Sequence, residues 1–252
     1  MSDLATRIEL GSLARALGVD EAEVEFLSAC TTQDVRALRD AVTSALVARN
    51  EPRLKRVAVL SGMLPAALSA KLAATSLGPV LSARVASVLP TAEAVRLAKQ
   101  FSPAFLADLA VHLDPGRLQE LLPALPEALL VDVGRRLLRK GEHITLGRVV
   151  SVVSVETALG VIEIADGSDL LKVAIFTEGV SALDAVLARL DDQALVGVIA
   201  AADAEGAYDD AAALVMSLAP ENSQRLVGLV GEVDHAEELI LKLGAAFAAR
   251  NS

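Results

Sequence analysis

The 252-residue chain is 53% hydrophobic but only 2% aromatic, so its apolar residues are almost all Ala, Val, Leu and Ile. A chain of this length can remove roughly 70–75% of its unfolded surface from water, and its apolar content excludes a disordered protein. Its one cysteine, Cys30, excludes a disulfide framework and favours a reducing cytoplasm. The composition predicts a cytoplasmic protein built from many closely packed aliphatic helices.

The formal charge is −10, and it is unevenly distributed. Residues 1–150 carry 18 Lys and Arg against 16 Asp and Glu, whereas residues 151–252 carry 5 against 17. Nucleic acids and anionic membranes are bound through dense clusters of cations, so the sequence predicts no nucleic-acid partner. The acidic C-terminal part is either a solvated surface that keeps an apolar chain in solution or a face for a basic partner.

No signal peptide and no transmembrane segment are expected. The N-terminus has no apolar stretch after its charges, and the most apolar segment, from Val57 to Ala83, is interrupted by Lys71, by Gly78 and by two prolines. A spanning helix needs about 20 mainly apolar residues. The segment therefore predicts short buried helices, with peripheral contact to a membrane as the lesser alternative.

The first 56 residues predict an N-terminal helical cap or subdomain. Apolar residues recur at helical spacing in three segments, around Leu4–Leu17, Ala22–Ala29 and Gln33–Ala48. The first two have the shape of a helix-turn-helix with Gly18 at the turn, but the second helix would present four acidic residues to DNA phosphates. A structural helical hairpin is therefore expected here.

Residues 57–252 predict a body of short helices in series. Prolines at positions 65, 79, 90, 103, 115 and 126 recur about every 12 residues, and proline fits the first turn of a helix while disfavouring helical geometry just before it. Between these breaks apolar residues follow the helical period, as at Leu118, Leu121, Leu122 and Leu125. Each proline therefore predicts a helix start.

Later starts are predicted at Ser154, Asp166, Ser181, Asp191 and Pro220. Helices of about ten residues are marginal alone, so their stability must come from neighbouring helices. Roughly sixteen to eighteen such helices fit the chain. The sequence thus predicts an all-α fold, a right-handed superhelix or α-solenoid of many short stacked helices.

Residues 64–138, in which predicted helices begin at the regularly spaced Pro65, Pro90, Pro115 and Pro126, resemble the N-terminal helical superhelix of MgtE-type magnesium channels. In that family the superhelix precedes paired nucleotide-sensor-like domains and a membrane channel. This chain has no clear membrane span and no room for the paired domains after residue 138. The resemblance therefore implies a fold, and it carries neither a transport activity nor a magnesium site.

One cluster of charge predicts a candidate anion or partner site. It surrounds the end of one helix and the start of the next, and it comprises Arg135, Arg136, Arg139, Lys140, Glu142, His143 and Arg148. Cations near a helix C-terminus are favoured by the unpaired carbonyls and the helix dipole, so a structural role is the main expectation. The alternative is a site in which His143 and Arg148 orient a carboxylate or phosphate.

A second candidate is an acidic loop formed by Asp203, Glu205, Asp209 and Asp210 around a glycine. Oxygen-rich loops bind Ca²⁺ or Mg²⁺, but this spacing does not match an EF-hand and lacks its terminal bidentate Glu. The main expectation is a loop between helices, in which Asp209 and Asp210 favour the following helix N-terminus. A cation site is the alternative.

Known catalytic motifs are missing from the sequence. It has no phosphate-binding loop, no Gly-x-Ser-x-Gly elbow, no His-Glu-x-x-His pair and no cysteine pair for zinc. Cys30 is expected to be a buried thiol, and His112 a structural histidine in an apolar stretch. We therefore expect no enzyme activity, no catalytic residue, no metal and no cofactor.

Two functions fit these expectations. The first is a non-enzymatic α-helical-repeat scaffold or regulator that binds a basic protein in a salt-sensitive manner, or self-associates as a homodimer through an open apolar end of the stack. The alternative is a carrier or sensor that encloses an apolar small molecule or lipid. A closed apolar pocket larger than a few hundred Å³ would favour the carrier.

Overall fold

The computed structural model describes residues 4–45, 64–233 and 237–250, and all regular secondary structure in these ranges is helical. The fold is therefore all-α, as predicted. None of the described helices is both long enough and apolar enough to cross a membrane.

The chain begins with a helix, two tight turns and a second helix. Helix α1 spans Leu4–Leu17, as predicted, and stops at Gly18, whose φ of +73° lies in the left-handed region. Helix α2 begins at residue 32 and is described to residue 45. The last three residues of the predicted segment Gln33–Ala48 lie outside the described residues.

The predicted helix over Ala22–Ala29 is wrong. Two 3-10 turns, Glu21–Glu23 and Glu25–Leu27, occupy this segment. Val24 is buried, but Phe26 is 77% exposed, so no continuous apolar stripe holds a longer helix against the core. Cys30, expected to be buried, is exposed just after these turns.

Prolines begin the helices of the next segment, as predicted. Pro65, Pro90 and Pro126 are N-cap residues, Pro103 and Pro115 are first residues, and Pro79 is a second residue. The helices are α3 (Ala66–Leu72), α4 (Gly78–Ala86), α5 (Thr91–Ala98), α6 (Pro103–Ala110), α7 (Pro115–Leu121) and α8 (Glu127–Arg139). A π-helical segment, Ala73–Leu77, joins α3 to α4, and a 3-10 turn, Leu122–Ala124, follows α7.

The remaining helices are α9 (His143–Val150), α10 (Val155–Ile162), α11 (Gly167–Ile175), α12 (Val180–Leu187), α13 (Asp192–Ala204), α14 (Tyr208–Ser217), α15 (Pro220–Leu229) and α16 (Glu237–Arg250). A 3-10 turn, Val230–Glu232, extends α15. Ser154, Asp166 and Asp191 cap α10, α11 and α13 as predicted, each accepting a hydrogen bond from the backbone N–H three residues later.

The predicted start at Ser181 is wrong, because α12 has Gly179 as its N-cap residue. Asp184, three residues after Ser181, contacts another helix. Its carboxylate accepts a hydrogen bond from the Ala219 N–H at 3.0 Å and from the Asn222 side chain at 2.7 Å, both at the start of α15. Asp184 therefore stabilises the start of α15, which is distant in the sequence, and not the start of its own helix α12.

From α3 to α11, each helix packs on the helix two positions further along the chain. Because helices of this length are marginal alone, these successive contacts supply their stability. The apolar faces form three main clusters, which are centred on α4–α7, on α6 with α8–α11, and on α11–α16. Each cluster shares helices with the next, so burial is continuous along the stack.

Two arginines cap the C-terminal ends of helices in the same way. Arg117 on α7 and Arg225 on α15 each donate to two backbone carbonyls at the end of a helix three elements earlier. Carbonyls at a helix C-terminus have no partner within their own helix, so these bonds satisfy groups that would otherwise be unpaired. The accepting residues are Ala86 and Leu89 for Arg117, and Leu187 and Leu190 for Arg225.

Helices α1 and α2, which we call the N-terminal pair, pack against helices from the second half of the chain. Leu4 belongs to the C-terminal core cluster, and its N–H donates to Asp210 Oδ2 at 3.1 Å. Ala5 packs with Ile144 of α9 and Phe176 at the end of α11. These contacts place the N-terminal pair beside the middle of the stack.

Candidate functional site

A groove of about 500 Å³ lies between the N-terminal pair and helices α4, α6 and α9. We call it the N-terminal groove. Its volume is within the range of roughly 300–1,000 Å³ that is typical of ligand sites. Its charged lining consists of the cations Arg15, Arg39, Arg84, Lys140 and Arg148 and the carboxylates of Asp40, Asp108, Asp114 and Glu142, together with His112.

A buried carboxylate holds the N-terminal pair together beside this groove. Glu9 on α1 is 0% exposed, and its two oxygens lie 2.9 Å from Arg36 Nε and 2.8 Å from Arg39 Nη1 on α2. An isolated buried carboxylate is very costly, so Glu9 depends on both arginines. Arg36 also lies over the ring of Phe176, 5.9 Å from its centroid, which links the pair to the end of α11.

Arg39 connects the ion pairs of Glu9 to the residues that line the groove. Its side chain is 5% exposed, and Nη2 donates to Asp40 Oδ1 at 3.2 Å. Asp40 accepts in turn from Arg148 Nη2 at 3.1 Å, and Arg148 Nε lies 3.7 Å from Glu178. Two buried atoms of the Glu9–Arg39 pair, Arg39 Nε and Glu9 Oε2, have no hydrogen-bond partner among the described residues. Charged contacts therefore connect α2, α9 and the segment after α11.

Two further ion pairs cross the groove wall. Arg15 Nη1 of α1 lies 2.7 Å from Glu142 Oε1, at the start of α9. Lys140, at the end of α8, pairs with Asp108 of α6. These pairs join different helices at the groove, but most of their side chains are exposed, so each contributes little to stability.

Two charged residues of the groove stand outside these ion pairs. Asp114 caps α7 by accepting a hydrogen bond from the Gly116 N–H at 2.9 Å, where the helix dipole favours its negative charge. Arg84 on α4 is half-buried, and within the described ranges it has no ion-pair partner. Arg84 is thus the one cation of the groove, and Asp114 the one carboxylate, that forms no ion pair among the described residues.

The surroundings of the groove perturb two titratable groups. Burial raises the pKa of Asp40 above its usual value, although the adjacent Arg39 opposes this change. Desolvation by the surrounding groove walls lowers the pKa of His112, although part of its side chain stays in contact with solvent. The carboxylates of Glu142 and Asp108 raise this pKa, and the positive charges of Arg15 and Arg84 lower it. His112 was expected to be structural, but it is exposed and lines the groove.

The structure separates the cationic cluster predicted from the sequence. Arg135 donates to the Gly160 carbonyl at 2.8 Å and pairs with Glu163, while His143 Nε2 lies 2.8 Å from Asp169 Oδ1. Arg136 and Arg139 are exposed on α8. Of the seven residues of this cluster, Lys140, Glu142 and Arg148 line the N-terminal groove, and the neighbours of Arg148 there are Asp40 and Glu178.

The four carboxylates of the acidic loop each contact a different group. Asp203 accepts from the Tyr208 hydroxyl, Glu205 pairs with Lys172, Asp209 pairs with Lys242, and Asp210 accepts from the Leu4 N–H. Asp209 and Asp210 lie in the first turn of α14, as the main expectation had it. Within the part of the chain that the structure describes, no group of three His, Cys, Asp or Glu residues is arranged to hold a metal ion.

Sequence reasoning missed most of the groove, because its residues come from five separate elements. One signal was available. Glu9 interrupts the apolar stripe of α1 that runs through Ala5 and Leu13, and Arg39 follows the buried Val35 by one turn on α2. Charged residues of opposite sign on two buried stripes predict an ion pair between the helices that carry them.

An apolar cavity lies between α8, α9 and α10, but it is small. Its volume is about 70 Å³, and leucine and valine side chains such as Leu137 and Val161 line it. Ligand sites typically measure roughly 300–1,000 Å³, so this cavity holds no lipid or drug-sized molecule.

A scan against protein-family models, a search of curated proteins and a search of solved structures each found no match to this chain.

Proposed function

We propose that this protein is a non-enzymatic α-helical-repeat scaffold or regulator in the cytoplasm, and that it binds a protein partner through the N-terminal groove. Residues 57–252 form a right-handed superhelical body in this proposal, similar in fold to the MgtE-type superhelix. In this proposal residues 1–56 are an N-terminal subdomain, and its helices α1 and α2 form one side of the groove.

The observation that carries this proposal is the groove itself. It is open, about 500 Å³ in volume and lined by charged side chains from both the N-terminal pair and the stack. Its walls are joined by ion pairs between helices, so a partner meets a preformed surface and loses less free energy to ordering. The packing of each helix on the second one along supports the superhelical body.

The structure gives less support to the alternative function, a carrier or sensor of an apolar molecule. The apolar cavity between α8, α9 and α10 is about 70 Å³, whereas the larger groove is open and has nine charged side chains in its lining. A carrier needs an enclosed apolar volume several times larger than this cavity. The observations therefore favour the scaffold.

Native mass spectrometry of the protein, purified from the cells that make it, tests the proposal. We expect a second polypeptide or a second copy bound to the wild-type chain, and a loss of at least about tenfold in that complex for Arg84→Glu. Arg136→Glu is the matched control, since it reverses the charge of an exposed arginine outside the groove. It should retain the complex.

Two results would contradict the proposal. A bound mass of a few hundred daltons in place of a polypeptide would support the carrier. A bare monomer in the wild type and in both variants would remove the scaffold function altogether.

A further inference from the structure

We propose that the protein associates head to tail with a second copy of itself, through one apolar face at each end of the helix stack. In this contact α3, at the start of the stack in one copy, packs on α16, at the end of the stack in the next copy. The contact lies outside the N-terminal groove, so the inference goes beyond the proposed function.

The first helix of the stack has an uncovered apolar face. Leu64, Leu68 and Leu72 follow one another at intervals of four residues, so they share one side of α3 and of the residues just before it. All three are exposed, Leu68 to 46%, whereas Ala70 on the other side of the helix is buried. We call these three leucines the α3 face. Adjacent exposed leucines of this kind indicate a surface that another protein covers.

The last helix of the stack has the same property. Leu239 of α16 is buried in the C-terminal core cluster, whereas Ile240 and Leu241 are exposed, Leu241 to 75%. One turn later Gly244 and Ala245 are exposed too, and a Cβ atom at Gly244 would meet no described residue within 4 Å apart from its own stretch of helix. We call Ile240, Leu241, Gly244 and Ala245 the α16 face. A helix that is apolar on both sides is normally buried on both sides, so this face also lacks a partner.

The two ends of the stack carry opposite charge. Residues 64–99, which include α3–α5, contain four Lys and Arg against one Glu, whereas residues 208–250, which include α14–α16, contain three against seven Asp and Glu. Lys71, exposed on α3, and Glu238, exposed on α16, form no ion pair among the described residues. Lys242, one turn after Glu238, already has a carboxylate partner. Opposite charges draw unlike ends of two copies together, and like charges keep identical ends apart.

A second copy is the occupant that covers both faces with a single kind of contact. Terminal repeats of helical arrays normally present a polar outer face, and here the outer faces of α3 and α16 are apolar. Within the stack each helix from α3 to α11 packs on the helix two positions further along, so α16 of another copy on α3 continues the same packing. An anionic membrane fits less well, because it repels the acidic residues around α16. Since the two contacting surfaces differ, association continues beyond two copies to a linear chain or a ring.

Sedimentation velocity of the full-length protein, from about 1 μM to about 1 mM, measures this self-association. We expect the wild type to form dimers and then longer species as the concentration rises. Leu68→Glu places a negative charge on the α3 face, opposite the acidic end of the next copy, and Leu241→Lys places a positive charge on the α16 face. Each variant alone should weaken association by at least about tenfold, because every contact needs one intact face of each kind.

A mixture of the two variants distinguishes a head-to-tail contact from a symmetric one. Leu68→Glu retains an intact α16 face and Leu241→Lys an intact α3 face, so one copy of each should form a dimer that cannot grow further. Native mass spectrometry with a ¹⁵N label on one variant identifies this mixed dimer. We expect mixed dimers at wild-type affinity and no longer species.

Leu38→Glu and Phe26→Lys are the matched controls. Leu38 on α2 is 42% exposed and Phe26 is 77% exposed, so these variants add the same charges at similar exposure, away from both ends of the stack. Both should retain wild-type association to within about twofold. Thermal unfolding followed by circular dichroism checks that each variant is folded, and Leu72→Glu or Ile240→Lys replaces an end variant that is not.

Three results would overturn the inference. The first is a wild-type chain that remains monomeric at every concentration. The second is loss of association in only one of Leu68→Glu and Leu241→Lys, which would mean that two identical faces meet. The third is loss of association in Arg84→Glu but in neither end variant. The copies would then meet in the N-terminal groove, so the proposed function would stand while the head-to-tail contact falls. Head-to-tail association that Arg84→Glu leaves unchanged, without any partner in the groove, would support the inference and not the proposed function.

Discussion

Replacement of Gly147 by alanine tests the close approach of α9 to the end of α11. A Cβ atom at Gly147 would lie 2.6 Å from the carbonyl carbon of Phe176, 2.7 Å from its Cβ and 2.8 Å from its carbonyl oxygen. Carbon atoms in contact normally lie about 3.5–4.0 Å apart. Phe176 is only 1% exposed, and its backbone cannot rotate away as a side chain can, so the two elements must separate.

The expected cost follows from two opposing terms. Overpacking of a core costs about 1–3 kcal/mol, whereas exchange of glycine for alanine in a helix stabilises by up to about 1 kcal/mol. We therefore expect Gly147→Ala to lower the free energy of unfolding by about 1–2 kcal/mol. For a chain of this length that corresponds to a fall in Tm of about 2–8 °C.

Gly228→Ala is the matched control. Gly228 lies in α15, whose helical backbone continues into the turn Val230–Glu232, and apart from its own stretch of helix no described residue has an atom within 4 Å of the Cβ position. This variant should gain about 0.5–1 kcal/mol from helix propensity. Urea denaturation followed by circular dichroism measures both changes. If Gly147→Ala stabilised the protein as much as the control does, the packing of α9 on α11 described above would be refuted.

Three further predictions concern the charged residues. Glu9→Gln removes a buried charge that balances Arg36 and Arg39, so urea denaturation should show a loss of about 3–5 kcal/mol, and a loss below about 0.5 kcal/mol would contradict the network. Arg117→Met leaves two carbonyls at the end of α4 without their donor and should cost about 1–3 kcal/mol in the same assay, while an unchanged unfolding midpoint would disprove this capping role. An NMR titration should find the pKa of His112 below 6.5, and Arg84→Gln should raise this pKa; a pKa that the variant leaves unchanged would show that the two side chains do not interact. Because the pKa is lower in the folded state than in the unfolded state, protonation of His112 reduces the stability of the protein as the pH falls from 6.5 to the folded pKa.

The helix starts were predictable because their signals are local. Pro103 and Pro115 begin helices, and Ser154, Asp166 and Asp191 cap them, each through geometry that involves only the next three residues. The 3-10 turns at residues 21–27 were not predictable in this way. A helical spacing of apolar residues was present there, but a helix also needs a surface to cover, and tertiary packing buries Val24 while leaving Phe26 outside.

The groove escaped prediction for a different reason. Its charges lie far apart in the chain, so that Arg15 meets Glu142 and Asp40 meets Arg148 across more than a hundred residues. Sequence proximity instead grouped His143 with Arg148, although the two side chains contact different helices. Spacing along one helix predicts which residues share a face, but only the packing of helices determines which faces meet.

The buried ion pairs of the N-terminal pair have a consequence for the proposed function. Apolar residues of similar size in place of a buried ion pair are often neutral or stabilising, so the folding free energy alone does not require Glu9 and Arg39. These residues add contacts that form in only one relative orientation of the helices. Arg39 donates to Asp40, which accepts from Arg148 of α9, and Arg36 lies over the ring of Phe176, so the two arginines that bind Glu9 of α1 also link α2 to α9 and to the end of α11. An apolar contact is non-directional and would let α2 slide along the stack, which would change the width of the N-terminal groove. The same ion pairs that cost desolvation thus keep the proposed binding surface preformed.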